Sequence, residues 1–349
     1  MIEHIKYPVY KKTGSVFHVI RFGITVLLLF LFLSCSKNRK FQVTADFIEF
    51  MTDVNITAYN VSAGDTSVTD SVLMRSQEIF LYFNSTMNPY LETSDLYAFN
   101  RNETTGRIAV PEQLRHILRI SHNIYKYTDG AFDPAVFPLV NLWSFNTGTK
   151  SELPSENKIK SLLAFSSLEY FSLRKDSVIF PDSRAAFDLS AIAKGYAVDS
   201  VAAYLKNSGI KDFIVEAGGD LLVNSSSKRS IGIRHPRKKG SLIDTLYVKK
   251  GAVATSGDYE NYVIKDGIRY CHIIDPDTGY GTSDIISATV ITEKAYESDA
   301  FATAVFVLGR EKGRYFLIEN GLSGLIIYKD RSGQIIKEGI NLEGYEEQN

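Results

Sequence analysis

The sequence is poor in cysteine and lacks the common nucleotide-binding signatures. Only Cys35 and Cys271 occur among its 349 residues. Because Cys271 has no second cysteine nearby, it is expected to be a buried small hydrophobe rather than a zinc ligand. No Walker-A loop, no G-x-G-x-x-G after a strand and no G-x-S-x-G elbow is present. Rossmann and P-loop chemistry are therefore disfavoured.

Residues 1–34 have the pattern of a bacterial targeting segment. Its basic residues are Lys6, Lys11, Lys12 and Arg21. The apolar run Ile24–Leu33 that follows is too short to span a bilayer comfortably, but it fits a secretory signal. The segment ends in Phe32-Leu33-Ser34-Cys35, as in a lipoprotein signal. Cleavage before Cys35 would leave a lipid-modified cysteine that tethers the protein to a membrane; the alternative is an ordinary signal anchor.

The charge of the chain argues against nucleic acid as a partner. The full sequence has a formal net charge of −1. Loss of residues 1–34, which carry four basic residues and the single acid Glu3, makes the remainder more acidic, at −4. With Cys35 lipidated, Cys271 is the only free thiol, which excludes an internal disulfide.

Apolar periodicity predicts an α+β fold with mainly antiparallel sheet. Residues 41–60 alternate between apolar and polar and are expected to form a first strand. The predicted helices cover residues 71–87, 111–127, 191–207 and 297–308. Ser190 is expected to cap the third of them. The predicted strands cluster as hairpins rather than alternating with helices, which favours an antiparallel arrangement.

Asp299 and Thr303 are four residues apart on a predicted helix, so their oxygens project from one face. A carboxylate and a hydroxyl suit Mg²⁺, which prefers a few hard oxygen ligands and completes its shell with water and phosphates. The alternative is a helix cap and a threonine bonded back to its own helix.

The stretch Asp188–Asp220 gathers polar groups around a helix start. It reads DLSAIAKGYAVDSVAAYLKNSGIKDFIVEAGGD. Asp188 and Lys194 could bind a ligand's hydrogen-bonding ring and its phosphate, or could form a buried structural ion pair. The glycine-rich turn before Asp220 lets backbone approach a ligand closely, although such turns are common.

His272 lies near the end of a predicted strand, in CHIIDPDTGY. A lone histidine in a strand is more often a structural residue than a functional one. The basic run at residues 234–239 is most simply a solvated loop.

Several strings together resemble the ApbE family, the FAD:protein FMN transferases, which are exported bacterial lipoproteins. In order along the chain they are TDGAFDPAVFPLVNLWSF, FDLSAIAKGYAVD, VEAGGDLLV, ATSGDYENY, HIIDPDTGY and SDAFATAVFVLG. The resemblance covers residues 43–339. It implies a lipoprotein signal peptide at 1–34, a lipidated tether at 35–42 and an ApbE-like flavin transferase domain at 43–340.

The resemblance also implies an architecture and a set of ligand contacts. The implied architecture is T-fold-like, with packed helices on antiparallel sheets and FAD in a cleft between lobes. The implied FAD contacts are Met51, Tyr90, Ala131, Phe132, Asp133, Asp188, Lys194 and Ile273. The implied Mg²⁺ ligands are the carbonyl of Ala191 and the side chains of Asp299 and Thr303. Some relatives carry a second acid where this chain has Ala302, which leaves the number of metal ions open.

The implied reaction transfers the FMN part of FAD to a threonine or serine hydroxyl of an acceptor protein, with release of AMP. Phosphoryl chemistry of this kind depends on charge neutralisation and positioning, and on a base near the hydroxyl. His272 is the expected base, with Asp275 and Asp258 as weaker candidates. The alternatives to a transferase are an FAD pyrophosphatase and a non-catalytic FAD-binding lipoprotein. The resemblance places the protein on the extracytoplasmic, periplasmic side of a membrane, with exported redox proteins as acceptors.

Overall fold

The computed structural model describes residues 40–101, 106–145, 153–282 and 284–347. The predicted signal peptide and the lipidation site Cys35 lie outside these ranges. Within them, no helix is both long enough and apolar enough to cross a bilayer.

Thirteen strands occur in the described residues, and they form three antiparallel sheets. They are β1 (Lys40–Glu49), β2 (Thr52–Ser62), β3 (Gly106–Ala109), β4 (Ser172–Leu173), β5 (Ser177–Phe180), β6 (Phe213–Ala217), β7 (Asp220–Arg234), β8 (Leu242–Gly257), β9 (Tyr262–Lys265), β10 (Ile268–Cys271), β11 (Ser287–Thr292), β12 (Ser323–Lys329) and β13 (Ile335–Ile340). The main sheet has the order β1-β2-β6-β7-β8-β11-β12-β13. The others are β3-β5-β4 and the hairpin β9-β10.

Seven α-helices accompany the sheets in the same part of the chain. They are α1 (Thr66–Met87), α2 (Asp95–Asn100), α3 (Glu112–Tyr127), α4 (Phe137–Trp143), α5 (Glu156–Leu163), α6 (Ser190–Asn207) and α7 (Ala295–Glu319). Helices α6 and α7 pack against each other and against the main sheet. The observed fold is the predicted α+β arrangement of antiparallel sheets and packed helices.

The main sheet is buried on both faces across its central strands. Leu222 and Ala252 face a core made with α1 and α6. Their neighbours Leu221 and Val253 face a second core on the opposite side. Because side chains alternate along a strand, one run of apolar residues supplies both cores.

Several predicted element boundaries were wrong, and helix α1 begins at Thr66 rather than at residue 71. Residues 41–60 form two strands, β1 and β2, because the chain reverses at Phe50 and Met51, both with positive φ. Bulky residues seldom adopt that conformation, so no turn signal was visible in the sequence. The apolar pattern also predicts separate strands at 221–223 and 231–233, but both are parts of the single strand β7. Helix α7 continues well past residue 308, through a kink at Gly309.

Cys271 is buried, as expected from the sequence. Its Sγ lies 3.3 Å from the carbonyl oxygen of Thr282. Burial raises the pKa of this thiol to about 12. The thiol is therefore protonated and unreactive at neutral pH.

Candidate active site

A cavity of about 1130 Å³ opens beside one end of the main sheet. Its wall combines the β1–β2 turn, the start of α6, the β6–β7 turn, the end of β8 and one face of α7. A space of this size exceeds what a drug-sized ligand fills and can hold a dinucleotide.

Nearly all of the predicted site residues line this cavity. They are Met51, Tyr90, Ala131, Phe132, Asp133, Asp188, Ala191, Lys194, His272, Ile273, Asp299 and Thr303. Asp275 does not line it. The structure thus brings together residues that are up to 252 positions apart in the sequence.

The wall of the cavity contains an ion-paired group of three side chains. The Lys194 ammonium lies 3.1 Å from Asp220 Oδ2 and 3.8 Å from Asp299 Oδ2. It also donates to the Ser190 carbonyl oxygen at 3.2 Å. Both carboxylates are almost fully buried, so their charges depend on this lysine for compensation.

Burial and mutual repulsion shift the pKa values of this group. Burial, reinforced by the nearby charge of Asp299, raises the pKa of Asp220 to about 7. Burial also raises the pKa of Asp299, although Lys194 opposes that shift. For Lys194, burial disfavours the charged form, but attraction to Asp220 and Asp299 outweighs it and raises the pKa. The lysine is therefore cationic, and the carboxylates would gain from a further cation.

Helices α6 and α7 cross closely, and this contact positions Asp299. The Gly195 N–H donates to Asp299 Oδ2 at 3.1 Å. A Cβ on Gly195 would lie only 2.3 Å from the carbonyl oxygen of Ala295. One turn further along α6, the Asp199 carboxylate accepts the Ala295 and Tyr296 N–H groups at 2.9 and 3.0 Å. The first turn of α7 is therefore fixed by α6.

The three predicted magnesium ligands all line the cavity. Asp299 and Thr303 lie on α7, and Ala191 lies in the first turn of α6. The Thr303 hydroxyl is 3.1 Å from Ser256 Oγ, so it bonds across to β8 rather than back to its own helix. No group of three His, Cys, Asp or Glu side chains suited to a metal was found in the described ranges. A buried carboxylate with a raised pKa, beside a hydroxyl and a carbonyl, nevertheless fits a hard cation.

Asp188 holds the start of α6. Its Oδ1 accepts the Ser190 N–H at 2.8 Å, so Asp188 takes the capping role predicted for Ser190. That prediction was wrong because Ser190 is already the first helical residue. The alternative of an Asp188–Lys194 ion pair also fails, since the direct partners of Lys194 are Asp220 and Asp299.

The Asp133 carboxylate accepts hydrogen bonds from backbone N–H groups of the protein. It accepts the Ala135 N–H at 2.8 Å and the Leu168 N–H at 2.9 Å. Burial outweighs these bonds and raises the pKa of Asp133 to about 6. Asp133 therefore fixes the loop that forms one wall of the cavity.

His272 and Asp275 occupy different environments. The backbone N–H of His272 donates to the Asn261 carbonyl at 2.9 Å, and this bond closes the base of the β9–β10 hairpin. The ring Nδ1 is buried and has no hydrogen-bond partner in the described residues. Burial lowers the pKa of the imidazole, which is therefore neutral at pH 7. Asp275 instead accepts bonds from Asp277 N and Thr278 Oγ1 within its own turn.

Sequence reasoning missed the role of Asp220. It was visible only as the end of a glycine-rich acidic turn. Its contact with Lys194 depends on the pairing of β6 with β7 and on the packing of α6 beneath them. No local spacing encodes that contact.

The geometry agrees with comparisons to known proteins. The profile of the ApbE family matches residues 50–326. The chain belongs to the ApbE family. The FAD:protein FMN transferase of Vibrio cholerae is 31% identical over 288 residues, which cover 79% of this chain and 86% of that protein. That of Escherichia coli is 33% identical over 262 residues, covering 70% and 73% respectively.

Solved ApbE structures share the fold. The flavin transferase ApbE from Vibrio cholerae superposes with a TM-score of 0.77 at 27% identity, over 88% of this chain and 100% of that one. The ApbE protein from Thermotoga maritima gives a TM-score of 0.75 at 30% identity, over 85% and 97%. The ApbE fold therefore extends over nearly all of the residues that the structure describes.

Proposed function

We propose that this chain is an FAD:protein FMN transferase, which moves the FMN part of FAD onto an acceptor protein. The observation that carries the proposal is the buried Lys194–Asp220–Asp299 group, which shares a dinucleotide-sized cavity with a neutral histidine. Membership of the ApbE family and relatives of that name support it.

The proposed reaction balances without any oxidant or reductant. The hydroxyl oxygen of a threonine or serine on the acceptor forms a bond to the FMN-side phosphorus. The bond from that phosphorus to the bridging oxygen breaks, and AMP leaves. The products are a phosphoester-linked flavin and AMP. Lys194 is cationic and lies at the cavity wall, so it attracts and orients the pyrophosphate.

Magnesium is proposed as the cofactor, held by Asp299, Thr303 and the Ala191 carbonyl. When bound there, it supplies positive charge that neutralises the phosphate oxygens. The Asp299 carboxylate and the Thr303 hydroxyl come from successive turns of α7. The close contact at Gly195 fixes the position of α7 against α6.

His272 is the proposed base that takes the proton from the acceptor hydroxyl. Its ring lines the cavity, and burial keeps it neutral at pH 7. Asp275 is unsuited to that role because its carboxylate serves the 275–278 turn, outside the cavity. Removing a general base typically lowers a rate by about 10²–10⁴-fold.

The test mixes soluble protein from Ser36 to Asn349 with FAD, Mg²⁺ and the flavin-acceptor domain of an exported redox protein. In-gel flavin fluorescence and AMP release are measured together. We expect labelled acceptor and AMP in equal amounts. AMP without labelled acceptor would identify an FAD pyrophosphatase, whereas bound FAD with neither product would identify a flavin-binding protein and refute the enzyme.

Single substitutions test which residues take part in the transfer reaction. His272→Ala and Asp299→Ala should each lose transfer by about 10²-fold or more. His116→Ala is the matched control, because His116 is an exposed histidine on α3 that does not line the cavity. Equal losses in His116→Ala and His272→Ala would contradict the assignment of the base.

We also propose that Cys35 carries a lipid that holds the enzyme on the extracytoplasmic side of a membrane. The support is the sequence pattern of residues 1–35. Metabolic labelling with an alkyne-tagged palmitate should mark the wild-type protein and not Cys35→Ser. Equal labelling of both proteins would refute the site.

A further inference from the structure

Lys194 sits closer to Asp220 than to Asp299. The ammonium is 3.1 Å from the first carboxylate and 3.8 Å from the second. The position next to Asp299 Oδ2 is taken instead by the Gly195 N–H, at 3.1 Å. Asp220 is the first residue of β7, the strand that pairs with β6 and contacts α6.

This asymmetry matters for any cation at Asp299. An ammonium in full contact with that carboxylate would occupy the place of a divalent ion and would repel it. The ammonium lies nearer to Asp220 than to Asp299, and the Ser190 carbonyl accepts one of its three protons.

We propose that Asp220 is a positioning residue that holds the Lys194 ammonium away from Asp299, so that the Asp299 carboxylate stays available to a divalent cation. The inference rests on the proposed function, since it concerns the cation site of that reaction. It gives Asp220 a role distinct from metal ligation.

The net charge of these three side chains differs between the variants, and cation affinity should follow it. With both carboxylates ionised, Asp220, Lys194 and Asp299 together carry one net negative charge. Asp220→Asn cancels that charge and also frees Lys194 to close onto Asp299. Lys194→Met leaves two negative charges, and the double variant restores one. Cation affinity should therefore be highest in Lys194→Met and lowest in Asp220→Asn. Wild type and the double variant should have equal affinities between these two.

The experiment measures Mn²⁺ binding to the soluble protein by the loss of the free-ion electron paramagnetic resonance signal. We expect Asp220→Asn to raise the Mn²⁺ dissociation constant on the order of tenfold. Adding Lys194→Met to it should return the constant to within about threefold of wild type. Asp258→Asn is the matched control, because Asp258 is equally buried but pairs with Arg237 and does not line the cavity.

Two results would overturn the inference. If the double variant binds Mn²⁺ as weakly as Asp220→Asn, Asp220 acts as a ligand or as a support of the fold rather than through Lys194. If Asp220→Asn binds like wild type, it has no role at the cation site. Failure of the wild type to bind Mn²⁺ would overturn the magnesium site itself, together with this inference. Circular dichroism of each variant checks that it folds.

Discussion

Replacing Gly195 with alanine should strain the crossing of α6 and α7. The added Cβ would meet three backbone atoms, the carbonyl oxygen and carbon of Ala295 and the Cα of Tyr296, at 2.3, 2.6 and 2.7 Å. Ordinary contacts begin near 3.4 Å, so the helices would have to separate by about 1 Å. Backbone atoms cannot rotate away as the end of a side chain can.

The expected loss of stability follows from two opposing effects. Overpacking a well-packed core costs about 1–3 kcal/mol, and a clash with backbone belongs at the upper end of that range. Alanine is a better helix former than glycine by about 1 kcal/mol. Gly195→Ala should therefore lower the free energy of unfolding by about 2 kcal/mol. It should also displace Asp299, which the Gly195 N–H holds.

Urea unfolding of the soluble protein, followed by tryptophan fluorescence, measures this change. Trp143 is the single tryptophan of the sequence and is buried, so its emission reports loss of the native packing. Gly64→Ala is the control, because no atom lies within 4 Å of the position of its Cβ. An unfolding free energy for Gly195→Ala equal to or above that of wild type would refute the reasoning.

Four further predictions concern buried side chains. Asp133→Ala should destabilise the protein by about 2 kcal/mol in urea unfolding, because it leaves the buried Ala135 and Leu168 N–H groups without acceptors; an unchanged midpoint would contradict it. Since burial lowers the pKa of His272 below its ordinary value of 6.5, the transfer rate at saturating Mg²⁺ should stay level from about pH 8 to 6.5 and fall only in more acidic solution; a decline that begins above pH 7 at saturating Mg²⁺ would argue against this base. The same shift makes folding stability fall as the pH drops below 6.5, because the unfolded chain takes up the proton first. Trp143→Phe should cost about 1–2 kcal/mol, because the Gly279 carbonyl loses the indole N–H that bonds to it at 2.8 Å; thermal unfolding checks it against Phe145→Leu, which keeps that bond.

Much of the candidate site was predictable because it depends on local spacing and on family strings. Asp299 and Thr303 do share one face of a helix, as their spacing of four predicts. Asp188 and Lys194 flank the start of α6, and both reach the cavity. These relations depend on the period of a helix and on its first turn, which the sequence carries directly.

The parts that were not predictable depend on long-range pairing or on unusual backbone. The partner of Lys194 was uncertain because Asp220 reaches it through strand pairing and helix packing. The turn at Phe50 and Met51 was missed because neither residue favours positive φ. The capping role of Asp188 rather than Ser190 depends on where the first helical residue falls, which sequence patterns place only within a residue or two.

The buried thiol of Cys271 makes the protein a convenient subject for site-specific labelling. The fragment from Ser36 onwards contains no other cysteine, and at neutral pH this one is protonated and shielded from solvent. A cysteine introduced at an exposed position would therefore be the one that reacts with a maleimide. Ile264 is 57% exposed and lies in the hairpin that leads to His272. A fluorophore attached through Ile264→Cys would label this hairpin alone, with the native cysteine left in place.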